Sequence, residues 1–405
     1  MTYFKIPTNI YKTIDEKKIK LKIEKNENIF QKCSFSLSSY LKETKKEIDN
    51  VYDTWDSVKI YTNPYEFIHT MVPNNNLSVS KYKPISRAFY KLIEIYNLFN
   101  IANYTQPINT FHLAEGPGGF LEATKYIRKN ENDNYYGMTL IDTHSTVPGW
   151  KKSKNILHKM KNIHLEKGID EKGDLFNEEN FKHCCQKYRR KFEIITGDGG
   201  IDFSNNYNEQ EKTATRLIIT QIFYALSLQK KGGSFILKMF DIFNKASIDC
   251  LYILTLFYKK VFIVKPYTSR YANSEKYIVC MDFTDNITQS IKYKFWSTLK
   301  ILNNIDFNVY NIDSFLNINH KLHFLNSLEE INIILGQRQI ENILFTIKII
   351  NNNDKYSKEK INKLKHSNIN KCIKWCENNN IHTNKFKDIL VPKNIFLNKE
   401  FYYYE

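Results

Sequence analysis

An α/β fold built on a doubly wound, mostly parallel sheet is predicted by three observations in the 405-residue sequence. First, apolar strand-like runs alternate with helical stretches across residues 76–285: "TFHLAE", "YYGMTLI", "FEIITGD", "GSFILKMF" and "KVFIVKP". Second, "HLAEGPGGFLEATKYI" (112–127) joins a short strand to a helix through a turn rich in glycine. Third, "KYIVCMDF" follows "KVFIVKP" across "YTSRYANSE" with no helix between them, so the pair reads as a terminal antiparallel hairpin.

The other elements follow from the same patterning. Residues 1–75 open Asp/Lys-rich, carry a Trp-bearing helix around "VYDTWDSVKIYTNPYEFIH", and read as a helical extension. Residues 286–405 turn Asn/Ile/Lys-rich and read as mostly helical, as in "INKLKHSNINKCIKWCENNN". After the glycine-rich turn, Phe120, Leu121, Thr124 and Ile127 fall at helical spacing. The turn itself has two readings, because glycines that admit a ligand look like glycines that only make a tight bend. Gly116, Pro117, Gly118 and Gly119 lack the spacing of a dinucleotide fingerprint, and no Gly-Lys-Ser/Thr phosphate-loop ending is present.

Composition narrows the class. A hydrophobic content of 42% supports one large α/β domain with additions, and a formal charge of +16 favours a polyanionic partner, although Lys/Asn-rich composition also produces solvated faces. No apolar run approaches the roughly 20 residues of a membrane span, and the first residues lack a signal-peptide core, so the chain reads as soluble and intracellular. The seven cysteines form no paired C-x-x-C sets, which points to reduced thiols without a zinc module or disulfide framework. Cys372 and Cys376, at i, i+4 on a helix, read as packing.

In such a sheet ligands gather at the carboxyl ends of the strands, so the polar residues there are weighed first. Asp198 follows "KFEIIT" in "GDGG", Lys238 ends the apolar "GGSFILK", Glu275 opens the second hairpin strand, and Lys91 lies on a helix before the first strand. Each has a bland alternative: Lys238 as a snorkelling strand end, Asp198 as a turn residue, Glu275 and Lys91 as surface charges.

Their joint pattern decides. "SRAFYKL", "EGPGGF", "GDGG", "GGSFILKMFD" and "SRYANSEKYIVC", in this order, resemble the FtsJ/RrmJ-type ribose 2′-O-methyltransferases, and more closely the cap-specific mRNA branch of eukaryotes and large DNA viruses. The likeness spans about 200 residues. It implies a Rossmann-like methyltransferase fold, S-adenosylmethionine as donor, and a K-D-K-E tetrad at Lys91, Asp198, Lys238 and Glu275. The loop Glu115, Gly116, Pro117, Gly118, Gly119 and Phe120 would then hold the donor's methionine and ribose portion, with Asp198 counted on the donor side as well. Asp142 would bind the ribose, and Asp174 the adenine amino group, with Leu175 and Phe176 flanking the ring; helix N-capping is the alternative for Asp174. His112 departs from the family's usual Asp, so Glu115 takes the methionine amino contact.

The chemistry accounts for the residue types. A ribose hydroxyl is a weak nucleophile at neutral pH, so attack on a sulfonium methyl requires positioning and help with one proton. A lysine helps only when part of it is neutral, which desolvation and a neighbouring cation favour. Lys238 is therefore assigned as general base or hydroxyl activator, with Asp198 and Glu275 orienting the lysines and Lys91 positioning the hydroxyl or its phosphate. No metal is needed.

Lys83, Arg87, Arg270 and Lys276 flank the motifs as candidate RNA phosphate contacts, and Tyr82, Tyr267 and Tyr271 as candidate stacking residues. The expected partner is the capped 5′ end of mRNA, with other capping enzymes or RNA polymerase as further partners, in nucleus or cytoplasm, or in host cytoplasm or virion for a viral protein. An rRNA/tRNA methyltransferase and a non-catalytic RNA-binding subunit are the alternative readings.

Overall fold

The strands form where apolar, β-branched and aromatic residues concentrate. In chain order they are β1 (Thr2–Ile6), β2 (Ile19–Lys25), β3 (Asn109–Leu113), β4 (Asn134–Met138), β5 (Ile163–Leu165), β6 (Phe192–Gly197), β7 (Gln229–Met239), β8 (Tyr258–Lys265), β9 (Lys276–Phe283) and β10 (Tyr310–Leu316). The described helices are α1 (Phe35–Lys46), α2 (Tyr52–Thr62), α3 (Ala88–Phe99), α4 (Gly119–Arg128), α5 (Glu178–Tyr188), α6 (Gln210–Leu228), α7 (Lys245–Phe257), α8 (Gln289–Asn303), α9 (Leu322–Asn351) and α10 (Lys355–Asn378). This computed structural model describes residues 1–9, 14–26, 32–142, 147, 149–153, 157, 161–200, 207–352 and 355–386.

Eight strands make one sheet in the order β1-β8-β9-β7-β6-β3-β4-β5. The central pairs β6/β7, β3/β6, β3/β4 and β4/β5 are parallel, whereas β9 runs antiparallel to both β7 and β8. After β3 the chain moves outward to β4 and β5, then returns to β6 on the other side. That reversal makes a topological switch point at the carboxyl ends of β3 and β6, the place where open α/β sheets bind their ligands. All six residues of β6 are buried, and α6 and α7 are buried along most of their length. Each large aliphatic side chain in this core contributes roughly 1.5–3 kcal/mol through burial.

The α/β sheet and its antiparallel terminal pair match the sequence expectation, with one refinement: β9 inserts between β7 and β8 rather than extending the edge. The helical reading of residues 1–75 is corrected at its start. Thr2–Ile6 adds an antiparallel edge strand to β8, and Ile19–Lys25 pairs with β10 in a separate two-stranded sheet. The reason is local: "IKLKIEK" alternates apolar and charged residues at period two, which lays Ile19, Leu21 and Ile23 on one face.

The division of the chain also differs from the expected boundaries at 75 and 285. One unit comprises Met1–Lys59 and Pro84–Asn351, so α8, β10 and α9 belong with the sheet; the other comprises Ile60–Lys83 and the chain from Asn352 onward. Within the second unit, α10 packs on the short helical turn Glu66–Ile68. Cys372 and Cys376 are fully buried there, and the Cys372 thiol donates to the Pro64 carbonyl. No described helix is long and apolar enough to cross a membrane.

One buried residue in β3 carries a testable consequence. His112 lies between the hydroxyls of Thr110, 2.9 Å from Nε2, and Thr196, 2.8 Å from Nδ1. Burial lowers its imidazole to about 3. The unfolded chain therefore binds a proton that the fold refuses, and stability should fall as pH drops from about 6.5 towards 3. An NMR titration of the imidazole is expected to show no protonation between pH 8 and 5; a midpoint near 6.5 would contradict this environment.

Candidate active site

Strand register brings the charged strand ends together. Gly197 pairs with Leu237, so Asp198 and Lys238 leave β6 and β7 side by side. Lys238 Nζ lies 3.3 Å from Asp198 Oδ1 and donates to the Asp198 carbonyl at 2.9 Å. Lys238 also pairs with Tyr277 across β7 and β9, and the Tyr277 hydroxyl donates to the same Asp198 oxygen at 2.9 Å. Gly200 leaves the lysine open on one side, since a Cβ there would approach Nζ to 3.2 Å.

The second pair is equally buried. Lys91, in the first turn of α3, places Nζ 2.7 Å from Glu275 Oε1. One turn later Glu94 accepts hydrogen bonds from the Tyr267 and Thr268 amides at 2.7 and 3.2 Å and from the Thr268 hydroxyl at 3.1 Å. The connection between β8 and β9 is thereby tied to α3. From the other side Lys265 donates to Asn273 O and Oδ1, both at 2.8 Å, and to the Glu275 carbonyl at 2.6 Å.

These contacts set the electrostatics. Burial lowers the Lys91 ammonium, with Arg87 and Lys238 adding repulsion while Glu275 and Asp198 oppose. Burial pulls Glu275 upward, but Lys91, Lys238 and Lys265 outweigh it and hold the carboxyl well below the usual range. Burial brings Lys265 down to about 7. All four residues of the sequence-predicted tetrad therefore sit in one coupled, largely buried cluster at the carboxyl ends of β6 and β7.

The glycine-rich loop adjoins this cluster. Gly118 begins α4 with φ of +114°, a backbone conformation that glycine adopts without strain. Its amide donates to the Glu115 carbonyl at 2.6 Å, and the Gly116 amide donates to Thr139 Oγ1 at 3.1 Å. Phe120 packs on the Tyr277 ring, centroids 5.9 Å apart. Glu115 is buried, accepts from the Leu121 amide at 2.7 Å through Oε1, and keeps Oε2 buried without a partner among the described residues. Burial raises its carboxyl well above the usual range, with Asp198 adding repulsion. An unpartnered buried carboxylate oxygen is what an incoming ammonium group would satisfy, so these residues fit the methionine end of a sulfonium donor.

The remaining predicted residues fall unevenly. Asp142 is exposed beyond the carboxyl end of β4. Asp174 Oδ1 accepts from the Phe176 amide at 2.9 Å, but it is Asn177 that caps α5, through the Glu179 amide. The capping alternative for Asp174 is thus replaced by a local turn that shapes the segment holding Leu175 and Phe176. Arg87 is half-buried and donates to the Thr268 carbonyl at 3.1 Å, and Arg270 is half-buried in the same connection. Lys83 is exposed in the smaller unit. Lys276 is corrected: it is buried, donating to the Phe240 carbonyl at 2.6 Å with Asp241 at 3.9 Å, so it cannot reach an RNA phosphate. Alternation along β9 is the reason, because Tyr277 faces Asp198 and its neighbour must face away.

Three supporting residues escaped the sequence reading: Glu94, Lys265 and Tyr277. Lys265 and Tyr277 stand inside "KPYTSRYANSEKY", but their roles require knowing which backbone carbonyls and carboxylates they face.

A parallel sheet with this reversal, a glycine-rich loop after its first strand and a charged cluster at the carboxyl edge defines a Rossmann-like methyltransferase fold. Residues 84–283, just under half of the chain, match the family model for FtsJ-like methyltransferase. It is 29% identical over 278 residues to a zebrafish (Danio rerio) protein named cap-specific mRNA (nucleoside-2′-O-)-methyltransferase 2, covering 61% of this chain and 34% of that one. It is 35% identical over 177 residues to a Trypanosoma cruzi cap-specific mRNA (nucleoside-2′-O-)-methyltransferase 1, covering 42% and 46%. A Dictyostelium discoideum protein of the latter name is 28% identical over 352 residues, covering 76% and 42%. The chain thus spans less than half the length of these curated relatives.

Proposed function

We propose that the protein is an S-adenosylmethionine-dependent mRNA cap ribose 2′-O-methyltransferase acting on a 5′-proximal nucleotide, in nucleus or cytoplasm. The observation that carries the reading is the coupled pair of ion pairs, Lys238–Asp198 and Lys91–Glu275, set beside a glycine-rich loop with an unsatisfied buried carboxylate. The relatives' names support the cap as substrate. Glu115 and the loop Gly116–Phe120 would hold the donor's methionine end, with Asp142 and Asp174 towards its nucleoside. When bound, the donor supplies an electrophilic methyl group, so no metal is invoked.

Lys238 acts on the acceptor. Asp198 fixes its Nζ at the strand end, where the lysine orients the ribose 2′-hydroxyl and takes its proton as the oxygen attacks. Lys91, held by Glu275, positions the hydroxyl or the adjoining phosphate. Tyr277 anchors Asp198 so that the carboxylate keeps its orientation. Capped RNA, other capping enzymes and RNA polymerase are the partners this reading entails.

Incubation with labelled donor and a short capped RNA, then nuclease digestion, is expected to place label on the ribose of one of the first nucleotides; label on a base would exclude the assignment. Asp174→Ala is expected to weaken donor binding by about 1.5–3 kcal/mol, the worth of one charge-assisted hydrogen bond. Calorimetric titration beside a thermal melt checks it, and unchanged affinity with lowered stability would leave Asp174 a purely structural turn residue.

A further inference from the structure

A cleft of about 620 Å³ lies between α5 and α8, lined among others by Lys182, Arg189, Arg190, Lys292, Tyr293 and Trp296. We infer that it is a second nucleic-acid contact site, which takes a single-stranded segment of RNA away from the catalytic edge. The proposal rests on the RNA reading of the active site for its biological sense and on this cleft alone for its geometry.

Two features argue for single-stranded nucleic acid. Four cations and, among the described residues, no carboxylate line the cleft. Lys182 and Arg190 have carboxylate neighbours, Glu179 at 3.7 Å and Asp285 at 2.6 Å, and Lys292 donates to the Ser227 carbonyl at 3.2 Å, whereas exposed Arg189 has no carboxylate at ion-pair distance among the described residues. Beside these charges Tyr293 stands 67% exposed, and it packs on Trp296 with centroids 5.4 Å apart. Trp296 is fixed in turn by its Nε1–H to Glu179 and by Lys182 and Lys300 over its ring. A braced aromatic platform next to Arg189 and three further cations is the arrangement that stacks a base and meets its phosphates. An acidic protein segment would use the cations but not the exposed ring.

Its place in the fold gives the site a use. Arg189 and Arg190 stand three and two residues before the start of β6, while Asp198 follows its far end, so the cleft and the ion-pair cluster lie at opposite ends of that strand, about 20 Å apart along six residues. RNA leaving the catalytic edge reaches the cleft only if it is long enough to pass around the sheet.

The test uses the full chain and RNA binding by fluorescence anisotropy at one ionic strength, with a capped RNA of about four nucleotides and a single strand of about twenty. Tyr293→Ala and Arg189→Glu are each expected to weaken binding of the long strand about tenfold and to leave the short one unchanged. Arg189→Glu should also flatten the salt dependence by about one phosphate contact. Thermal melts confirm that both surface variants fold. Unchanged affinity for the long strand in Tyr293→Ala, equal binding of duplex and single strand, or displacement by polyglutamate as readily as by RNA would each overturn the inference. Methylation of the short capped RNA by the unaltered protein tests the catalytic reading separately, so the two can fail independently.

Discussion

Lys238→Ala is expected to reduce methyl transfer by about 10²–10⁴-fold, the usual contribution of a positioned general base, while donor affinity stays near that of the unaltered protein. The separation follows from geometry: Lys238 contacts Asp198 and the open side left by Gly200, whereas the loop assigned to the donor is held by Glu115, Thr139 and its own amides. Lys238→Arg should fail as well, because a guanidinium keeps its charge at any usable pH and its fork does not match the single point occupied by Nζ. Single-turnover transfer measured beside donor titration checks both variants. Near-normal turnover in either one would remove Lys238 from proton handling.

The second large effect is expected at Glu275. Glu275→Gln leaves the Lys91 ammonium buried without its countercharge, and removing one partner of such a pair costs about 3–5 kcal/mol. The double variant Lys91→Met with Glu275→Leu should recover most of that stability, since an apolar pair of similar volume tolerates the site, yet it should remain inactive. The pH dependence has a defined sign. Lys91 and Lys238 hold the Glu275 carboxyl below its unfolded value against the effect of burial, so its contribution is present above the ordinary carboxylate range, about 4.3, and is lost as pH falls. Chemical denaturation at neutral and acid pH reads both quantities. A stable, active Glu275→Gln protein would show that the ion pair neither supports the fold nor positions the acceptor.

What the sequence disclosed and what it withheld divide along physical lines. Strand ends and loop chemistry were legible: "GGSFILK" announced a buried strand delivering one lysine to an edge, and "EGPGGF" announced a strand-to-helix turn. Those features depend on neighbours within a few residues. Lys276 was misjudged because the facing of a residue along β9 depends on register with β7, which no local pattern reveals. The strand Ile19–Lys25 shows its alternation in the sequence, but it lies within residues 1–75, which read as one helical extension. Its partner β10 lies nearly 300 residues away in sequence, and that long-range pairing settles the matter. The grouping of residues 60–83 with the C-terminal segment is likewise a long-range fact, although "NPYE" and "KCIKWC" turn out to meet at the Pro64 carbonyl. Glu94 shows the same limit at the site itself. On the sequence it is one more charge on a helix, and only the folded chain shows it receiving two amides and a hydroxyl from the connection that carries Glu275.

Ribose methylation at a capped 5′ end can be read in a single competition. Two short RNAs of identical sequence, one with a methylguanosine cap and one with a 5′-triphosphate, are offered together with labelled donor at a fixed ionic strength, because phosphate contacts release counterions and weaken with salt. Label is expected to enter the capped RNA much faster, at the ribose of one of its first nucleotides, and the preference to persist at higher salt, where stacking and hydrogen bonding to the guanine outlast backbone attraction. Equal rates on the two RNAs, or label confined to internal positions of structured RNA, would contradict it.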